Sequence, residues 1–192
     1  MAESPAKRIR SFVAVDLPVA HREALAAYLS RLEAADPRMK WVSAANLHLT
    51  LRFLGPVEPR MLDRVMAGLA SLGCAPFTVA LGHLGLFGRP GRVRVVWLSV
   101  AEGASDLTRL AALVESACVE SGLAPEPRPF RPHLTLARAP GAGVAAIALA
   151  SLPQPPELGP WQVGGVTLYR STLRPSGAVY EALAGASLDG GL

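Results

Sequence analysis

Two of the four histidines in this 192-residue chain stand in the same tetrapeptide, His48-Leu49-Thr50-Leu51 and His133-Leu134-Thr135-Leu136. Around the first copy Leu47, Leu49, Leu51 and Phe53 alternate with Asn46, His48, Thr50 and Arg52, the period of a strand whose leucines enter the core. At a strand rise of about 3.3 Å per residue, His48 and Thr50 stand roughly 6–7 Å apart on one face, so an imidazole and a hydroxyl reach one tetrahedral anion together. Two such strands facing each other would supply a neutral imidazole to take a proton and an imidazolium to give one, the acid and base pair that phosphodiester cleavage needs near neutral pH. The chain has only six threonines, which makes a chance recurrence of the four residues improbable.

The threonine hydroxyls neutralise little charge, so an arginine or oriented backbone N–H groups should share the anion. Strand alternation selects Arg52, two residues beyond Thr50. Neither copy has an Asp, Glu or Cys within a few residues to complete a zinc or two-metal site, and the scheme requires neither metal nor cofactor. Among the basic residues of segment 86–94, Phe87 offers a face on which a base could stack, and Phe130 stands in a similar context. The remaining histidines carry less: His21 lies in a helix-like stretch, and His83 near a turn.

These motifs need elements to position them. Periodicity and breakers predict a strand over residues 11–16, a helix over 18–35 with Asp16 as cap, and strands over 40–43 and 46–54. A helix over 58–72 follows, then strands over 77–84 and 93–100 around a turn-rich segment 85–91, and a helix over 105–122. The second motif strand, 133–137, precedes a short helix over 144–152, a proline-rich loop, and strands over 162–173 and 178–183. Both motif strands are followed by a helix and further strands, as an internal duplication would leave them. The expected fold is α+β: a single bilobal unit over 1–192, two pseudo-twofold related lobes with antiparallel sheets lining a central cleft and helices outside.

The formal net charge of +4, carried almost wholly by arginine, suits an anionic partner. Cys74 and Cys118 lack metal or redox spacing and read as reduced core thiols. The N-terminus has no long apolar run, and the apolar stretch 144–152 is too short to span a bilayer, so a soluble, cytoplasmic protein is expected. Trp41, Trp97 and Trp161 fall in strand patterns and read as packing residues.

The chain resembles the 2H phosphoesterase superfamily, named for two HxT motifs, and within it the RNA 2′,3′-cyclic phosphodiesterases also called 2′-5′ RNA ligases. The likeness runs from Phe12-Val13-Ala14-Val15-Asp16-Leu17-Pro18 through both motif blocks and Arg94-Val95-Val96-Trp97-Leu98 to the hairpin 171–180. It implies that His48 is the general acid and His133 the general base, that Thr50 and Thr135 hold the phosphate, and that Arg138 assists them. Alternation opposes Arg138, since His133, Thr135 and Ala137 would share a face, unless the strand bulges after Leu136. The implied activity is metal-independent hydrolysis of RNA 2′,3′-cyclic phosphate ends to 2′-phosphates, with reversible 2′-5′ joining, on partners such as tRNA fragments and with no obligate protein partner. Two alternatives stand beside it: the same chemistry on a small cyclic nucleotide or 2′-5′ oligonucleotide, and a non-catalytic module that holds an RNA end.

Overall fold

The computed structural model describes residues 8–175 and 177–189, so Ser176, within the expected closing hairpin, and Lys7 lie outside the described residues. Two antiparallel sheets form the frame. The first has four strands in the order β10 (Gly177–Ser187), β9 (Gly165–Arg174), β1 (Ile9–Asp16) and β3 (His48–Val57). The second has β2 (Lys40–Trp41), β6 (His133–Arg138), β5 (Arg92–Glu102), β4 (Phe77–Arg89) and β8 (Trp161–Val163), with β7 (Val144–Ala145) pairing β5 alongside. Each sheet contributes one motif strand, β3 or β6, and these two pack on each other.

Among the described residues three helices cover the sheets, each burying side chains at three- and four-residue spacing. Helix α1 (Val19–Ala35) buries Leu25, Tyr28, Leu29 and Leu32. The loop before β8 is tied to it, the Tyr28 hydroxyl donating to the Pro153 carbonyl at 2.9 Å and the His21 ring to that of Gly159 at 2.7 Å. Helix α2 (Pro59–Leu69) packs on α3 (Ala104–Glu120), which buries Leu107, Leu110, Val114 and Cys118 and lies against β3. Gly103 precedes α3 with φ +78°, and a Cβ there would stand 2.2 Å from the Thr78 carbonyl oxygen. Only glycine therefore makes this turn without strain.

Several expected elements differ. Residues 144–152 form the two-residue strand β7 and a 3₁₀ turn, Leu149–Ser151, rather than a helix, because Val144 and Ala145 are taken up by pairing with Val93 and Arg92. The expected strand 40–43 shortens to Lys40–Trp41, and a 3₁₀ turn, Ala44–Asn46, precedes β3. Segment 85–91 is mostly strand: β4 runs to Arg89, which places His83 mid-strand with Ser99 3.1 Å from its Nδ1. Gly85 and Gly88 answer close packing rather than turning, since a Cβ on Gly85 would meet the Trp97 ring at 2.2 Å and one on Gly88 the Arg92 carbonyl at 2.0 Å, whereas Gly91, with φ +73°, makes the turn into β5. Strand 162–173 divides at Gly164 into β8 and β9, one in each sheet. Asp16 does not cap α1, whose cap position is Pro18; its carboxylate accepts from Thr167 at 2.7 Å and from Tyr169 at 2.5 Å. Cys74 and Cys118 are free and buried. Among the described residues no helix is long and apolar enough to cross a membrane.

Candidate active site

The two motif strands repeat each other in backbone as well as sequence. In β3, Thr50 pairs with Ala14 and Arg52 with Val13, which leaves Leu51 as an extra residue. In β6, Thr135 pairs with Trp97 and Ala137 with Val96, which leaves Leu136 as the extra residue. A bulge of this kind puts two consecutive side chains on one face and reverses the alternation beyond it. Burial follows: Leu51 and Arg52 are both buried, as are Leu136 and Ala137, while Phe53 and Arg138 come back to the side of the threonines.

The bulge sends the two arginines to different places. Arg138 lines the cleft with Thr50 and His133. Desolvation there lowers its pKa, and among the described residues no carboxylate pairs with it. Arg52, chosen by plain alternation as a phosphate ligand, is turned inward and only 9% exposed. It pairs with Glu115 and with Glu126 at 3.2 Å, and donates to the Ala124 carbonyl at 2.6 Å and the Phe53 carbonyl at 3.0 Å. Its donors are committed to holding segment 124–126 against β3 and α3, a correction to the alternation argument whose physical cause is the bulge at Leu51.

Both imidazoles are held alike. His48 Nδ1 lies 2.7 Å from the Asn46 carbonyl and His133 Nδ1 2.7 Å from the Arg131 carbonyl, two residues upstream in each case. A carbonyl only accepts, so Nδ1 carries the hydrogen and Nε2 is the atom left for chemistry. Phe12 stacks on His48 at 4.7 Å and Tyr180 meets it edge-on at 5.3 Å. Phe87 meets His133 edge-on at 5.0 Å, with its own face on Trp97 at 4.8 Å. Phe87 is therefore placed as a wall of the His133 site with one face occupied, whereas Phe130 lines the same cleft from the segment before β6. Thr50 and Thr135 are half-buried beside buried leucines, each two residues from its histidine.

Burial pushes both imidazoles below the ordinary histidine pKa. The carbonyl bonds oppose this at each ring, and the Arg138 charge lowers both, which places Arg138 within electrostatic reach of the two histidines at once. The rings differ in one respect: the Asp16 carboxylate, paired in register with His48 across β1 and β3, favours its protonated form. Sequence reasoning did not assign Asp16, Phe12, Tyr169, Tyr180 or Trp97 to the site. The alternation of Phe12, Ala14 and Asp16 was visible, but nothing in composition says that β1 lies beside β3.

The cleft has a volume of about 830 Å³. Among the described residues no three His, Cys, Asp or Glu side chains cluster so as to hold a metal ion. Thr50, His133 and Arg138 line the cleft, while His48 and Thr135 stand on the same two strands outside its lining; together the motifs offer two Nε2 atoms, two hydroxyls and a guanidinium without a carboxylate partner among the described residues, suited to proton transfer at a bound anion.

The RNA 2′,3′-cyclic phosphodiesterase of Aeropyrum pernix is 38% identical over 147 residues, covering 76% of this chain and 84% of that protein. That of Methanothermobacter thermautotrophicus is 36% identical over 180 residues, covering 90% and 95%. The crystal structure of E. coli LigT complexed with 3'-AMP superposes with a TM-score of 0.81 at 30% identity, covering 95% of this chain and 99% of that one. The family model of the 2'-5' RNA ligase superfamily matches residues 18–174, and the chain belongs to that superfamily.

Proposed function

We propose that this chain is a phosphodiesterase of RNA 2′,3′-cyclic phosphate ends, built as one bilobal unit, with His48 as general acid and His133 as general base. One observation carries the proposal: both motif histidines are tied through Nδ1 to the carbonyl two residues upstream, so that two Nε2 atoms are left for chemistry, both within electrostatic reach of Arg138. The relatives named above as RNA 2′,3′-cyclic phosphodiesterases support the substrate.

In the proposed reaction the cyclic phosphate lies between the motifs, its non-bridging oxygens on Thr50, Thr135 and Arg138. The neutral His133 Nε2 takes a proton from water as the water oxygen bonds to phosphorus. The bond from phosphorus to the 3′-oxygen breaks, and His48 Nε2 gives that oxygen its proton. The products are a 2′-phosphate and a free 3′-hydroxyl, with the histidines left in exchanged protonation states that solvent resets. Asp16 supports His48 as the acid because its charge favours imidazolium there, while among the described residues no carboxylate does the same for His133. The same sequence with an RNA 5′-hydroxyl in place of water joins RNA ends through a 2′-5′ bond, and its reverse, attack of the 3′-hydroxyl on that phosphorus with departure of the 5′-oxygen, re-forms the cyclic phosphate. All groups needed for the step are side chains of the chain itself, so turnover should persist in excess EDTA and without ATP.

The test is hydrolysis of an RNA carrying a 2′,3′-cyclic phosphate by His48→Gln and His133→Gln. Each should lose at least 10²-fold in rate, the usual contribution of a positioned acid or base. Near-wild-type rates in both variants would remove the motifs from catalysis.

A further inference from the structure

Strand β1 brings a second cation to the side of the motifs. Ile9, Ser11, Val13 and Val15 turn inward, so Arg10 shares the opposite face with Phe12, the ring that stacks on His48 at 4.7 Å. Ser11 pairs with Arg170 of β9, and Ser171 pairs with Tyr180 of β10. Continuing the first register by one residue sets Arg10, Ser171 and Tyr180 in a row across three strands. The Tyr180 ring joins this row to the first motif, edge-on to Phe12 at 4.9 Å and to His48 at 5.3 Å. Burial raises the Tyr180 pKa and the charges of Arg138 and Arg10 oppose the rise, so its phenol stands within electrostatic reach of both guanidiniums.

The carboxylates nearby are committed elsewhere. Arg8, two residues earlier, pairs with Glu58 at 3.7 Å, whereas Arg10 is exposed and has no carboxylate partner among the described residues. Glu181 and Arg170 pair with each other at 3.0 Å, from strand positions that alternate to the other face from Tyr180 and Ser171. Asp16, at the far end of β1, already accepts from Thr167 and Tyr169. A guanidinium without a counter-ion, with two hydroxyls alongside, suits a phosphate group. Arg10 stands about 6–7 Å along the strand from Phe12, so it reaches an anion beyond the one held at the motifs. An RNA that ends in a 2′,3′-cyclic phosphate continues only on its 5′ side, and the next phosphate there is the diester that joins the terminal nucleotide to its neighbour.

We propose that Arg10, with the Tyr180 and Ser171 hydroxyls beside it, anchors the phosphodiester on the 5′ side of the terminal nucleotide. The proposal rests on the cyclic phosphate site proposed above and selects its substrate class: an RNA end is preferred to a nucleoside 2′,3′-cyclic phosphate, which has no such diester. Contacts to phosphate fix register without reading bases, so the preference extends to RNA ends of any sequence.

Hydrolysis of three substrates by wild type, Arg10→Gln and Arg10→Lys tests it. The substrates are adenosine 2′,3′-cyclic phosphate, an adenosine dinucleotide ending in a 2′,3′-cyclic phosphate, and the same dinucleotide with its internal linkage replaced by an uncharged methylphosphonate. Wild type should show its highest kcat/KM on the diester dinucleotide. Arg10→Gln should lose on the order of tenfold on that substrate, chiefly in KM, as for a lost hydrogen bond to a charged group. Its losses on the other two should be at most about twofold, and Arg10→Lys, which keeps the charge, should recover most of the rate on the diester. Equal losses on all three substrates, or no loss on the diester, would overturn the anchor. So would a wild type no more efficient on the diester than on the methylphosphonate, a result that leaves the cyclic phosphate reading standing; failure of wild type to open any of the three rings would overturn both.

Discussion

Replacing the two candidate arginines by leucine should have opposite consequences. Arg52→Leu removes the cation from a buried network and leaves Glu115, Glu126 and the Ala124 carbonyl without it. Breaking a buried pair from one side costs about 3–5 kcal/mol. Glu115 and Glu126 keep 29% and 24% of their side-chain surface in solvent, so the low end applies, about 3 kcal/mol. For a chain of this length that lowers the melting temperature by roughly 6–12 °C. Arg138→Leu breaks no ion pair among the described residues and removes a partly desolvated charge, so its melting temperature should stay at or above that of wild type. Its kcat/KM should fall about 10²–10³-fold, the usual cost of losing a donor to developing anionic charge. Thermal unfolding and cyclic phosphate hydrolysis on the same preparations separate the cases. An Arg52→Leu protein that melts like wild type, or an Arg138→Leu protein that is strongly destabilised but fully active, would refute the division of roles.

Because burial and Arg138 lower both imidazoles, kcat/KM against pH should be bell-shaped and centred on the acid side of about 6.5, the free histidine value. In Arg138→Gln the residual profile should move to higher pH on both limbs; an unmoved profile would show that Arg138 does not act on the histidines. Asp16→Asn should lower the His48 pKa further, so its activity deficit should shrink as pH falls, and a deficit independent of pH would contradict that role. Stability has a matching sign. With folded pKa values below the unfolded value, the unfolded chain binds more protons between them, so stability is fully present above about pH 6.5 and is lost as pH falls toward the folded values. Urea titrations should show this slope in wild type and a smaller one when both motif histidines are Gln; equal slopes would place its origin elsewhere.

Much of this was legible in the sequence. The repeated His-Leu-Thr-Leu strands and the three long helices follow from apolar spacing, and α1 and α3 begin and end within two residues of expectation. The bulges were not legible, because Leu51 and Leu136 are the residue type an unbulged strand would also carry inward. That single unreadable feature reassigns Arg52 to the core and brings Phe53 and Arg138 to the cleft. The glycines of β4 were read as turn formers because sequence does not show the Trp97 ring that needs the space at Gly85. The alanine-rich run 144–152 looked helical because its pairing partner, the start of β5, lies some fifty residues away. Contacts that depend on which strands become neighbours, Asp16 beside His48 or Trp97 beside Thr135, have no local signature.

The most direct test of the central claim is the end group formed when an RNA with a 2′,3′-cyclic phosphate is incubated with the protein in excess EDTA and without ATP. With His48 giving its proton to the 3′-oxygen and His133 activating water, the product should be a 2′-phosphate with a free 3′-hydroxyl, identified by ³¹P NMR and by its resistance to enzymes that require a 3′-phosphate. A product that is chiefly 3′-phosphate, a statistical mixture of the two, or no turnover until a divalent metal is restored would contradict the account.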